Sequence, residues 1–281
     1  MQFMRIGAIG AERPAVLDAT GTARDISGLV ADIGPDTIES LPSVLAGVDL
    51  STLPALALDG QRVGAPIARP RNIWCIGLNY SDHAAEAGMP VPSEPIIFSK
   101  PSSTLCGPTD PILMSPGMTK LDWEVELGIV IGKPALDIAP GTAMDYVFGY
   151  AAANDVSERA WQIERGGQWS KGKSYPSFCP CGPVLVTADE IPDPQALDMS
   201  LTVNGETMQR GSTATMIFGV EHIVEYLSQF ALLEPGDLIV TGTPPGVGMG
   251  MKPPRYLAAG DVVGLSIAGL GDQRCVVTPR G

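Results

Sequence analysis

The sequence predicts an α+β protein in which strands outnumber helices. Three observations carry that prediction. Short apolar or alternating runs recur along the chain, bounded by glycine, proline and asparagine. The 33 glycines and 26 prolines supply the frequent turns such a pattern needs. The regular strand–helix alternation of a parallel α/β sheet is missing.

Bulk properties narrow the function. A length of 281 residues suits one large domain, or a large one with a small one. The chain is 44% hydrophobic and 17% charged, which fits a globular core and not disorder. Its formal net charge is -13 and it has no lysine or arginine cluster, so neither nucleic acid nor an anionic membrane is its expected main partner. No apolar run approaches the roughly 20 residues that span a bilayer. The start, Met1 to Gly7, lacks a long apolar signal core. Five cysteines, with no CxxC pair and with Cys179 and Cys181 too close for an easy disulfide, suggest free thiols in a reducing cytoplasm.

Taken in order, residues 1–70 read as a small leading module. Strand-like pieces fall at 3–9, 14–17 and 23–26, and a helix is expected over 36–45, stopped by Gly47. The module has neither histidine nor cysteine, which suits a structural or oligomerisation role. The stretch 60–70 reads as a linker, leaving 71–281 as the main domain. There, 73–78 is a buried strand, and Ser81 caps a short helix over 82–87 that Gly88 ends. Strands follow at 95–99, 111–114, 121–131 and 146–153, the last running into Asn154-Asp155. Ser157 is expected to cap a helix over 158–165, and 166–180 to be a polar loop. Strands at 182–187 and 199–203 precede Asn204-Gly205, a two-residue hairpin turn into 206–209. Over 218–232, Val220, Ile223, Val224, Leu227 and Phe230 keep the helical period, with His222 just off that stripe as a surface or structural histidine. A strand over 237–243 enters a glycine-rich turn, and strands at 261–267 and 273–278 complete the chain.

The stretch from Leu121 to Ile131 organises the chemistry. Alternation puts Asp122, Glu124 and Glu126 on one face and Trp123, Val125 and Leu127 on the other. The polar alternation stops at Leu127, and Ile129-Val130-Ile131 reads as buried on both faces. Two glutamates at the mouth of a buried strand repel unless a cation lies between them, and oxygen donors suit a hard divalent ion. A solvated edge strand is the other reading of the same spacing. Asp155 is either a ligand at a strand end or a turn aspartate. His83 and Glu86 share a helix face, where a carboxylate raises the pKa of an imidazole and orients it as a base. A solvated surface helix would carry the same pair. Lys171 and Lys173 either hold an anion near the acidic strand or point to water. Their loop lacks the spacing of a phosphate loop. Thr243 presents a hydroxyl in a turn whose glycines permit close approach to a ligand.

As an ordered set these stretches resemble the fumarylacetoacetate hydrolase family. The matches begin with Gly77-Leu78-Asn79-Tyr80-x-x-His83, Phe98-Ser99-Lys100-Pro101 and Asp122-Trp123-Glu124-Val125-Glu126-Leu127. They continue with Asn154-Asp155-Val156-Ser157, Lys171-Gly172-Lys173-Ser174 and Phe178-Cys179-Pro180. Leu233-Glu234-Pro235-Gly236-Asp237 and Thr241-Gly242-Thr243-Pro244-x-Gly246-Val247-Gly248 complete the set, which spans about residues 70–280. The first 70 residues resemble the short leading domain of the family's bacterial sugar-acid members.

The resemblance implies a mixed β-roll or sandwich core with a small N-terminal domain, assembled as a homodimer or a dimer of dimers. It implies a divalent metal, usually Mg2+ with Mn2+ or Ca2+ as alternatives, on Glu124, Glu126 and Asp155. Such an ion chelates the 2-oxo-carboxylate end of a small 2-oxo acid substrate. Lys173 is implied to stabilise developing enolate charge, Gln162 and Thr243 to contact substrate, and His83 with Glu86 to be a base pair on a lid helix. Asp122 has no ligand role in the family pattern and is expected to support the site or cap the strand. The implied reaction is hydrolysis of the C3–C4 bond of a 2,4-dioxo acid. The leading domain points to a 2,4-dioxo-3-deoxy sugar acid such as L-2,4-diketo-3-deoxyrhamnonate, giving pyruvate and a hydroxy acid such as lactate. Acylpyruvate hydrolases, oxaloacetate decarboxylases or tautomerases and ureidoglycolate lyases share the metal carboxylates, so those activities stay open. A non-catalytic metal-dependent binding domain is the remaining class, and the His83, Glu86 and Lys173 set argues against it.

Overall fold

Alternation along one strand, Val125–Ile131, decides how the layers stack. The computed structural model describes residues 1–86 and 90–280, without the side chains at positions 83–85. Val125, Leu127, Ile129 and Ile131 bury on one face, in a cluster that includes Leu201, Val263 and Leu265. Val130 buries on the other face with Ile73, Val240 and Ala153. A strand buried on both sides must read as a nearly continuous apolar run, and this one does.

Val125–Ile131 lies inside a nine-stranded sheet. The order is Ala23–Asp25, Arg13–Leu17, Gln2–Ile6, Leu185–Thr187, Val147–Asn154, Val125–Ile131, Leu238–Val240, Ile73–Gly77, Ile96–Lys100. A second sheet of five strands covers the first cluster, in the order Glu206–Ser212, Asp198–Val203, Val262–Ile267, Gly271–Pro279, Ile112–Met114. The protein is therefore an α+β molecule, mostly strand, with two large sheets over a shared core. Gln2–Ile6 pairs antiparallel with Leu185–Thr187, so the strands of residues 1–70 extend the main sheet. Among the described residues no helix is long and apolar enough to cross a membrane.

Several expected elements are shorter or broken, each for a local reason. The helix expected over 36–45 is only Leu41–Leu45. Before it, the Thr37 hydroxyl donates to Asp32 O and Gly34 O, and Pro42 suits only a first turn. The helix expected over 158–165 is Arg159–Ile163, and its cap is Glu158, whose carboxylate accepts the Ala160 N–H. Ser157 instead pairs with Asp122 in a two-residue ladder. The expected loop 166–180 contains a helical turn, Ser170–Lys173. The helix expected over 218–232 is Val220–Ser228. The strand Ile73–Gly77 is followed by the helix Ser81–Glu86, while the expected Gly88 stop lies outside the described residues.

The strand expected over 121–131 is interrupted at Trp123-Glu124. Side chains take the amides that a ladder would use. Trp123 N donates to Asp122 Oδ1 at 2.9 Å, Glu124 N to Asn154 Oδ1 at 3.1 Å, and Val125 N to Gln209 Oε1 at 3.0 Å. The Asn204-Gly205 hairpin is as expected, with both residues at positive φ, 53° and 82°.

Candidate active site

Register brings the acidic residues together. Val147–Asn154 runs antiparallel to Val125–Ile131, with Asn154 opposite Val125 and Ala153 opposite Glu126. The end of one strand thus lies beside the start of the other, and Asp155 N donates to Glu124 O at 2.9 Å. Leu238–Val240 flanks the other side with Val240 opposite Gly128, so Thr241, Gly242 and Thr243 continue past Leu127, Glu126 and Val125. Thr241 Oγ1 donates to Leu127 O at 2.9 Å and Thr243 Oγ1 to Val125 O at 2.9 Å. Gly242, at φ +97°, turns its N–H to Glu126 Oε2 at 2.8 Å, and a Cβ there would lie 2.7 Å from that of Asn79.

Glu124, Glu126 and Asp155 are all buried, and each offers an oxygen within 4.8 Å of the others'. Cations surround them unevenly. Lys173 Nζ lies 2.6 Å from Glu124 Oε2 and 2.6 Å from Asp155 Oδ2. Lys100, also buried, donates to Asp155 Oδ1 and to Val156 O. Arg159 spans Asp122 at 2.8 Å, Glu124 at 2.6 Å and Gln162 Oε1 at 3.0 Å. Asp122 also accepts the amides of Gly248 and Met249, so it ties the glycine turn to the site. Among the described residues Glu126 has no ion-pair partner, and Gly242 N–H is its hydrogen-bond donor.

The electrostatics follow from burial and company. Burial pushes the Glu126 carboxyl well above its ordinary range, and the neighbouring Asp155 and Glu124 charges push it further. Burial alone would pull the Lys173 ammonium down, but Asp155 and Glu124 outweigh it and its pKa is raised. The same balance, with Glu124 and Asp122, raises that of Arg159. The donor set fits a hard divalent cation: every available donor is a carboxylate oxygen, and Glu126 is a buried carboxylate lacking an ion-pair partner among the described residues.

Glu124, Glu126 and Arg159 line a cavity of about 220 Å³. Gln162, Lys173 and Thr243 line it too, so all three expected substrate contacts border one space. The Thr243 hydroxyl is already engaged, donating to Val125 and accepting from Gln209 Nε2 at 2.8 Å. Of the two loop lysines, Lys173 is buried and Lys171 is exposed, donating to Arg165 O. Gly172 explains the packing: a Cβ there would sit 2.4 Å from Glu158 O and 2.6 Å from Gln162 Cβ. Only glycine lets the two short helices approach closely enough to bury Lys173.

Position 83 lies on Ser81–Glu86, but the His83 side chain is outside the described residues. The Glu86 carboxylate accepts the Gly246 N–H at 3.0 and 3.1 Å, which seats this helix on the turn after Thr243. His222 is exposed and stacks between Phe218 and Tyr226, at 5.3 and 6.0 Å. Sequence reasoning assigned no role to Arg159 or Lys100. Signals were present: Arg159 precedes Gln162 by one helical turn, and Lys100 is a lone charge ending the strand Ile96–Lys100.

A sequence model of the family described as fumarylacetoacetate (FAA) hydrolase C-terminal matches residues 72–278. A relative from Burkholderia multivorans, provisionally named a hydrolase, is 53% identical over 275 residues, covering 97% of each chain. The fumarylacetoacetate hydrolase of psychrophilic Exiguobacterium antarcticum superposes with a TM-score of 0.85 at 39% identity, covering 100% of both chains. The maleylpyruvate hydrolase of Sphingobium sp. SYK-6, solved in complex with manganese (II) ion and pyruvate, gives 0.83 at 28% identity, again covering 100% of both.

Proposed function

The chain belongs to the fumarylacetoacetate hydrolase family, and on that premise we propose that it is a metal-dependent hydrolase of 2,4-dioxo acids. It cleaves the C3–C4 bond and releases pyruvate and a carboxylic acid. The observation that carries this reading is Lys173, buried at the cavity wall and bonded to both Glu124 and Asp155.

Glu124, Glu126 and Asp155 would hold the divalent ion, Mg2+ or Mn2+. Once bound, it supplies Lewis acidity toward the 2-oxo-acid end of the substrate. Lys173 spends two of its three N–H groups on carboxylates, and the third donates to the oxygen on which enolate charge develops. Arg159 pins Gln162 Oε1, which leaves Gln162 Nε2 as the donor for the substrate. His83, assisted by Glu86, takes a proton from water, and the hydroxide adds to C4. The C3–C4 electron pair passes to C3 as pyruvate enolate, and a proton returned to C3 completes pyruvate. The reading includes assembly as a homodimer or dimer of dimers, which light scattering after size exclusion checks.

The test is a panel of 2,4-dioxo acids and oxaloacetate with Mg2+, followed by pyruvate release. Pyruvate from the dioxo acids and none from oxaloacetate is the expected result. Release from oxaloacetate alone would assign the site to decarboxylation.

A further inference from the structure

The cavity lining is of two chemical kinds. Arg159 touches Glu124 and Gln162, and Lys173 touches Glu124, which makes one polar cluster; Glu126, held by Gly242 N–H, and Thr243, bound to Val125 and Gln209, complete the polar side chains. The rest of the described side-chain lining is apolar: Ile76, Leu78, Phe98, Ile163, Trp169 and Met249. Ile163 keeps 48% of its surface exposed, an uncovered apolar residue at the cavity. An arm rich in hydroxyls would lose water against these residues and find among their side chains one ordinary hydrogen-bonding group, the donor-only Trp169 indole N–H. An apolar arm would bury surface at no such cost.

One contact shapes the apolar lining. The Trp169 ring lies directly on Gly77, where a Cβ would stand 2.5 Å from Cζ3 and 3.0 Å from Cη2. Phe98 braces the ring edge-on at 5.5 Å, and Lys173 Nζ lies 5.3 Å from the centre of the Phe98 ring. Any larger residue at position 77 would push the indole off its seat, so the glycine and the tryptophan fix the wall together.

We propose that the group on C4 of the substrate is an apolar arm lying against Trp169, with the Gly77–Trp169 contact determining which arms fit. The inference rests on the dioxo-acid reading above and narrows it: it replaces the deoxy-sugar arm expected from sequence with an alkyl or aryl acylpyruvate. Recognition of the common 2-oxo-acid end falls to the polar cluster, and discrimination among arms falls to the indole.

The probes are acetylpyruvate, a longer alkanoylpyruvate, benzoylpyruvate and a 2,4-dioxo acid whose arm carries hydroxyls, each assayed for pyruvate with Mn2+. The expected order in kcat/KM places the apolar arms above the hydroxylated one. The ratio of kcat/KM for benzoylpyruvate to that for acetylpyruvate should fall by roughly tenfold or more in Trp169→Ala, mainly through KM. Gly77→Ala should also change that ratio, with Trp169→Leu as a milder variant if either fails to fold. Preference for the hydroxylated arm, or an equal loss on every probe in the Trp169 variants, would overturn the arm assignment and leave the dioxo-acid reading standing. No pyruvate from any probe would overturn both.

Discussion

Lys173 Nζ lies 2.6 Å from Asp155 Oδ2 in a place where neither side chain meets solvent to any extent. The same ammonium holds Glu124. A positive charge is thus fixed beside two of the carboxylates that would hold the metal, and it has opposite effects on binding and on turnover.

Replacing Lys173 with Met separates those effects. Turnover should fall by about 10²–10³-fold, the cost of losing one preorganised donor to developing charge. Metal affinity should rise, because a cation that repels the ion is gone, and roughly tenfold is a conservative expectation at such short range. Calorimetric titration with Mn2+ reads this directly, and weaker binding by the variant would contradict the charge argument.

Arg159 should behave as a structural tie. It joins Asp122, Glu124 and Gln162 inside the protein. Arg159→Met takes the ion-pair partner from buried Asp122 and a cation from buried Glu124, and should cost about 3–5 kcal/mol of stability, visible in denaturant melts. Arg159→Lys should restore only part, since an ammonium lacks the planar fork that serves three partners. Full recovery by lysine would show that charge alone matters.

His83→Ala should reduce kcat by about 10²–10⁴-fold, the usual contribution of a general base. Mn2+ affinity should be kept, because the three carboxylates do not depend on position 83. Unchanged turnover would remove His83 from the mechanism.

The thiols give a test of the fold itself. Cys75, Cys179, Cys181 and Cys275 are buried and Cys106 is half-buried. Burial pushes the Cys179 and Cys275 thiols up to about 12, and the other three well above their ordinary value. At pH 8 the folded protein therefore holds neutral thiols, and the four buried ones react only on unfolding. An aromatic disulfide reagent should titrate at most Cys106 in the native protein and all five in guanidinium. Rapid native reaction of several thiols would contradict the buried packing of these strands.

How much was legible in the sequence depended on whether the signal was local. Alternation around Glu124 and Glu126 marked the acidic face, because strand periodicity needs only neighbours. Which loop lysine faced that strand was not readable from spacing alone, although the family resemblance pointed to Lys173. It depends on Gly172 fitting against Glu158 and Gln162, a contact between two short helices. The break at Trp123-Glu124 was hidden for a similar reason. Asn154 and Gln209 take over amides that the pattern assigned to a ladder, and Gln209 lies 84 residues beyond Val125. Arg159 was missed because its own segment shows only Gln162, one helical turn on, and not that the distant Asp122 and Glu124 converge on it as well. The apolar lining of the cavity was equally invisible, since Gly77, Phe98 and the pair Ile163 and Trp169 come from separate stretches of chain.

The most direct test of the central claim is to titrate metal back into stripped protein while following pyruvate release from a 2,4-dioxo acid. The account predicts no release from the stripped protein and recovery that saturates as a single site fills with Mn2+ or Mg2+. In Glu126→Gln and Asp155→Asn the recovery should shift to much higher metal concentrations. Undiminished release from the stripped protein, or recovery in those variants at the wild-type concentration, would contradict it.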